Sequence, residues 1–179
     1  MKQWPLPREQ ATALDKFFAD RLAAGHVRES NSLQSSPTSC VRNATGGWRI
    51  VRAFNKLNAA TAPAQTPIPR KDVFTDGMAK STIFSSMDLM DGLYQILVRE
   101  RDIPFTSVST PSGTLWEWLV MPQGLSNAPA AFNRCVTNLL RSVRNFAPSC
   151  FDDVFVHSRA HDGKKDVEVL ESTSGRFLL

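Results

Sequence analysis

Three observations predict an α+β fold. Apolar residues recur at helical spacing near the start of the chain and again from residue 126 onward. Between them lie short β-prone runs separated by Pro, Gly and Ser. Acidic residues stand at the ends of two such runs, Asp88 closing Ile83–Asp88 and the pair Asp152-Asp153 inside Cys150–His157. At 179 residues, 42% of them hydrophobic, the chain suits one ordinary domain or two small lobes sharing a cleft.

Leu14, Phe17, Phe18 and Leu22 share a helical face and Gly25 follows as a stop, which predicts an amphipathic helix over residues 8–24. Residues 29–39, rich in Ser, Asn and Pro, read as a loop. Cys40-Val41-Arg42 and Trp48–Val51 flank Thr45-Gly46-Gly47 and predict a β-hairpin. Pro63, Pro67 and Pro69 make residues 59–70 extended and non-helical. Strands are predicted near 82–88, 94–99, 105–109 and 115–120, with Pro111-Ser112-Gly113 turning the last two.

From Ser126 the period changes. Ala131, Phe132, Cys135, Val136, Leu139, Leu140 and Val143 form a stripe, with Asn133, Arg134, Asn138 and Arg141 opposite. Ser126 or Asn127 can cap this helix, and Pro129 suits its first turn. The stripe is a core face. Cys150–His157 reads as a hairpin whose apolar arms are buried, so that Asp152-Asp153 sits over a core.

Most Asp-Asp pairs are solvated turn residues. Asp88 at the end of a separate strand changes the weighing, because carboxylates on two strand ends are what a pair of hard divalent cations requires. Net charge is +4, unevenly spread. Residues 1–80 carry 12 Lys and Arg against 6 Asp and Glu, and residues 81–179 carry 9 against 11. A basic first half beside an acidic second half suits a polyanion and its metal ions, and an ordinary solvated surface accounts for it equally well. Cys40, Cys135 and Cys150 have no paired zinc spacing and read as reduced thiols of an intracellular, non-secreted chain. No run approaches the ~20 apolar residues of a membrane span. A P-loop hydrolase is excluded because no Gly-rich loop ends in Gly-Lys-Ser/Thr.

Thr45–Val51 leading to Phe54-Asn55-Lys56-Leu57-Asn58, then Pro67–Arg70, Ser85–Leu89 and Tyr94-Gln95-Ile96, resembles the fingers and first palm segment of a reverse transcriptase. Trp118–Phe132 and then Phe151-Asp152-Asp153 continue it, in the order seen in gypsy-type LTR retrotransposon polyproteins. The resemblance covers residues 9–169. It implies reverse-transcriptase fingers and palm, with an antiparallel palm sheet packed on helices. Residues 1–80 would form the N-terminal helix and fingers segment and 81–160 the palm, with a fingers-like insertion over 100–120. Residues 161–179 are expected to be a truncated, frameshifted tail without a thumb, departing from the family after Val169.

The resemblance also implies an RNA-directed DNA polymerase working by two-metal nucleotidyl transfer from a dNTP to a primer 3′-hydroxyl, on an RNA or DNA template. Asp88, Asp152 and Asp153 would be catalytic and, with the Leu89 carbonyl, would hold two Mg²⁺ ions, Mn²⁺ being an alternative. Arg49 would grip the β- and γ-phosphates, Arg42 would assist, and Gln123 would lie against the sugar. Two positions at the nucleotide depart from the family. Leu93 follows Asp88-Leu89-Met90-Asp91-Gly92 where an aromatic ring usually blocks a ribose 2′-hydroxyl, and Cys150 replaces the tyrosine of Tyr-x-Asp-Asp. Asn55 stands where the wider family often has arginine. Leu93, Cys150 and the truncated tail support a second reading, an inactive retroelement relic with at most weak nucleic-acid binding.

Overall fold

The computed structural model describes residues 3–44, 46–65, 71–79 and 81–158. The tail 161–179 and the Pro67–Arg70 block therefore lie outside the described residues. In chain order the elements are α1 (Arg8–Ala23), β1 (Val27–Glu29), β2 (Ser36–Arg42), β3 (Trp48–Arg52), α2 (Asn55–Ala60), α3 (Lys71–Met78) and β4 (Ile83–Asp88). Two 3₁₀ segments, Gly92–Gln95 and Glu100–Thr106, precede β5 (Val108–Ser109) and β6 (Leu115–Trp118). The last elements are α4 (Ala128–Leu139), β7 (Ser149–Cys150) and β8 (Asp153–Ser158).

The chain divides into two compact units, residues 1–63 with 93–128 and residues 64–92 with 129–179. The second visit to the first unit contains the 100–120 stretch. That unit is built on a five-stranded sheet in the order β1-β6-β5-β2-β3, antiparallel except for the β2–β5 pair. Leu14 and Phe18 of α1 pack into its core with Val27, Phe54, Tyr94, Val108, Trp118 and Val120. Phe18 stacks on Trp116, ring centroids 5.8 Å apart, and Tyr94 stacks on Trp118 at 5.6 Å. The helical stripe of α1 and the alternation in β6 thus share one aromatic core.

The second unit carries an antiparallel sheet in the order β4-β8-β7. Val154 and Val156 are buried from β8 and pack with Ala147, against which Leu140, Val143 and Phe146 lie half-buried. The arms behind Asp152-Asp153 are anchored in this core, as the run Cys150–His157 predicts.

Several expectations change. The loop expected over 29–39 ends early, because β2 starts at Ser36. Its polar residues are held by neighbours, Ser36 N–H donating to Ser107 O at 2.9 Å and Thr38 Oγ donating to Ser109 O at 2.7 Å. Residues 59–60 are helical, closing α2 before the extended stretch. No strand spans 94–99. The Tyr94 ring is buried between His26 and Trp118 on a 3₁₀ turn, and β pairing there shrinks to the single bridge Leu97–Val120. The strand expected over 105–109 is confined to Val108–Ser109, because Glu100–Thr106 winds as 3₁₀ around Pro104. The buried side of α4 is rotated from the expected stripe. Phe132, Asn133 and Val136 are buried, while Ala131, Cys135 and Leu139 face solvent.

Candidate active site

The β7–β8 hairpin pairs Ser149 with Val154 and Cys150 with Asp153, so its loop is the two residues Phe151 and Asp152. Phe151 has φ +56°, the left-handed value that such tight hairpins require and that a bulky residue adopts only at a cost. From this turn β8 runs antiparallel to β4, with Asp88 opposite Asp153 at one end and Ile83 opposite Ser158 at the other. The ladder continues one step past β4, where Leu89 N–H donates to Asp152 O at 2.9 Å.

Paired residues in a sheet present their side chains on one face, so Asp88, Asp153 and Cys150 form a row across three strands, with Asp152 at the adjoining turn. All three carboxylates are exposed. Burial raises the Asp152 pKa, and the neighbouring Asp88 and Asp153 charges raise it further. The Leu89 carbonyl accepts a 3.3 Å bond from Gly92 N–H, which leaves it a lone pair. Gly92 is required sterically: a Cβ there would lie 2.6 Å from Phe132 Cε2 and Cζ.

This donor set suits a hard divalent cation, since all of it is carboxylate or carbonyl oxygen. Among the described residues no three His, Cys, Asp or Glu side chains close a ligand set unaided. A Mg²⁺ ion is ordinarily held by one or two carboxylates and completes its octahedron with water and substrate phosphate.

The remaining candidates belong to the first unit. Arg49 is exposed on the outer face of β3, opposite Val41 of β2. Arg42 is more engaged, its guanidinium 5.1 Å from the Trp48 ring centroid and 4.0 Å from Glu9 Oε1. Leu93 is half-buried in the 3₁₀ turn before Tyr94. Gln123 is exposed in the loop after β6, and its carbonyl accepts a 3.4 Å contact from Arg52 Nη1.

Two residues around this loop escape sequence reasoning. Arg52 is 6% exposed, with its guanidinium 4.3 Å from the Trp118 centroid. Asn58 bonds the loop backbone twice. Arg52 follows Trp48 and Ile50 in the inward alternation of β3, a signal readable in the sequence. Nothing local marks Asn58.

Residues 37–176 match the family described as "Reverse transcriptase (RNA-dependent DNA polymerase)". The chain is 38% identical to the retrovirus-related Pol polyprotein from transposon 297 of Drosophila melanogaster, over 88% of this chain and 15% of that one. It is 30% identical to the transposon Tf2-3 polyprotein of Schizosaccharomyces pombe, over 89% of this chain and 12% of that one. It therefore spans less than a fifth of the length of these relatives. The fold is that of a foamy virus protease-reverse transcriptase in complex with double-stranded DNA, with a TM-score of 0.78 and 20% identity over 99% of this chain and 30% of that one. A native prototype foamy virus protease-reverse transcriptase gives 0.78 at 23% identity, over 99% of this chain and 24% of that one. Matched over most of its length, the chain belongs to the reverse transcriptase family and carries that family's α+β fingers and palm fold.

Proposed function

We propose that this chain is the nucleotidyl-transfer portion of an RNA-directed DNA polymerase, acting on a primed RNA or DNA template. The observation that carries the reading is the register placing Asp88 opposite Asp153 with Asp152 at the adjoining turn. Asp88 and Asp152, assisted by Asp153 and the Leu89 carbonyl, would hold two Mg²⁺ ions. Bound there, Mg²⁺ offsets the charge of the triphosphate and of the developing alkoxide.

The primer 3′-oxygen attacks the α-phosphorus in line, and the bond to the bridging oxygen breaks to release pyrophosphate. The three carboxylates orient this centre while the backbone ladder keeps them from splaying. Arg49, on an exposed strand face, offers its planar fork to the β- and γ-phosphates. Arg42 supports it from the paired strand. Gln123 presents its amide to the sugar, and Leu93 shapes the space at the 2′ position.

Cys150 and Leu93 favour the second reading, a relic that binds nucleic acid without catalysis. Single-nucleotide addition to a primed RNA template in Mg²⁺ separates the two. Addition by the unmodified chain that Asp152→Asn abolishes supports the polymerase. Duplex binding with no addition overturns it in favour of the relic.

A further inference from the structure

The geometry points to Asn58 as a positioning residue, one that holds the loop Gln123–Ser126 so that the Gln123 side chain meets the nucleotide's sugar. This rests on the role proposed above for Gln123. Asn58 is half-buried on α2 and uses both ends of its amide on the loop. Nδ2 donates to Gly124 O at 2.9 Å, and Oδ1 accepts from Ser126 N–H at 2.9 Å. One planar group thus fixes the peptide units on both sides of Leu125.

Neighbouring contacts tighten the same loop. Arg52 Nη1 reaches Gln123 O at 3.4 Å, and Asn127 Nδ2 donates to Ala62 O at 2.8 Å. Gly124 has φ +104°, a conformation open to glycine, and a Cβ there would lie 3.4 Å from Phe54 Cδ2. The backbone around Gln123 is therefore held on a helix and a strand while the Gln123 side chain itself is exposed.

An exposed turn ordinarily has to be ordered when its ligand arrives, at about 1–2 kcal/mol of backbone entropy per residue. A loop ordered beforehand spares the ligand that cost. Core packing does not require Asn58, since the bonds it makes are to loop peptide groups at the surface. The Asn58 amide therefore acts on the nucleotide through Gln123.

A double-mutant cycle tests this. Binding of dGTP is measured with Mg²⁺ and a primer–template duplex, for the unmodified chain, Asn58→Asp, Gln123→Ala and the double variant, with Arg49→Ala as control. Asn58→Asp keeps an acceptor for Ser126 N–H but sets a carboxylate oxygen against Gly124 O. Each single variant is expected to weaken dGTP about fivefold, the worth of one hydrogen bond, and the double variant no more than either. A general structural role for Asn58 would instead give additive losses. Additive losses, or unchanged binding in Asn58→Asp, overturn the inference. If Arg49→Ala and Gln123→Ala weaken binding while Asn58→Asp does not, the nucleotide reading stands and the positioning role alone falls. If the unmodified chain does not bind dGTP, the nucleotide reading falls and takes this inference with it.

Discussion

Asp88 and Asp153 stand directly opposite each other across β4 and β8, two like charges in one cross-strand pair. Such a pair is destabilising by itself, and the unbroken antiparallel register from Ile83–Ser158 to Asp88–Asp153 holds it in place. The sheet thus maintains two like charges side by side, an arrangement that a bound cation would relieve.

Asp88→Asn is therefore expected to stabilise the chain in metal-free buffer, by about 0.2–1 kcal/mol, the range for a cross-strand pair. Thermal melts in chelator check this. A lower melting temperature in the Asn variant would mean that Asp88 makes a favourable contact which the register does not reveal.

Gly92 opens the 3₁₀ segment that follows the acidic end of β4, against the buried ring of Phe132. Gly92→Ala places a methyl 2.6 Å from two ring atoms, too close for any real contact. The expected loss is about 1–3 kcal/mol, the usual cost of overpacking, read from urea denaturation. Adding Phe132→Leu should recover part of it. No recovery would show that Gly92 is needed for its backbone and not for its lack of a side chain.

Much of this arrangement was legible in the sequence, for reasons specific to each part. Val154, Phe155 and Val156 form an unbroken apolar run, so the buried arm of the β7–β8 hairpin shows directly in residue order. The α1 stripe Leu14, Phe17, Phe18 and Leu22 reads as helix, though Leu22 is itself exposed. Tyr94-Gln95-Ile96 looked like a strand because its apolar residues suit one, yet stacking of Tyr94 on Trp118 dictates a 3₁₀ turn instead. Asn133 looked like a surface residue and is 2% exposed, because polarity says nothing of which way a helix is rotated in its socket. The tie between Asn58 and the Gln123 loop joins residues far apart in the chain, and no local pattern encodes it.

Asp152 makes stability depend on pH in a defined direction. Its pKa in the folded chain is raised above the ordinary 3.8, first by burial and then by Asp88 and Asp153. The folded state therefore holds this proton more tightly than the unfolded one. The resulting stability is fully present below the unfolded value and is lost as pH rises through the folded value. Asp152→Asn removes the dependence. Melting curves of the two chains in chelator should coincide at low pH and separate as pH rises through that window, with the Asn variant the more stable. Parallel curves at all pH values would mean that Asp152 feels no such crowding.

Arg49 and Arg52 occupy opposite faces of β3, one exposed and one buried, and are expected to respond in opposite ways. Arg49→Ala should leave stability within about 0.5 kcal/mol, as surface changes do, while weakening triphosphate binding. Arg52 is packed on Trp118 and Phe17, and its Nε has no partner. Burial lowers its pKa, opposed chiefly by the electrostatic attraction of Tyr94. A buried cation of this kind is costly to desolvate, and an apolar side chain of similar length keeps the packing without that cost. Arg52→Met should therefore melt at or above the temperature of the unmodified chain. Arg52→Ala, which also empties the space beside Trp118, should melt well below it. If Arg52→Met and Arg52→Ala are equally destabilised, the guanidinium's polar contacts, and not its packing, hold this part of the core.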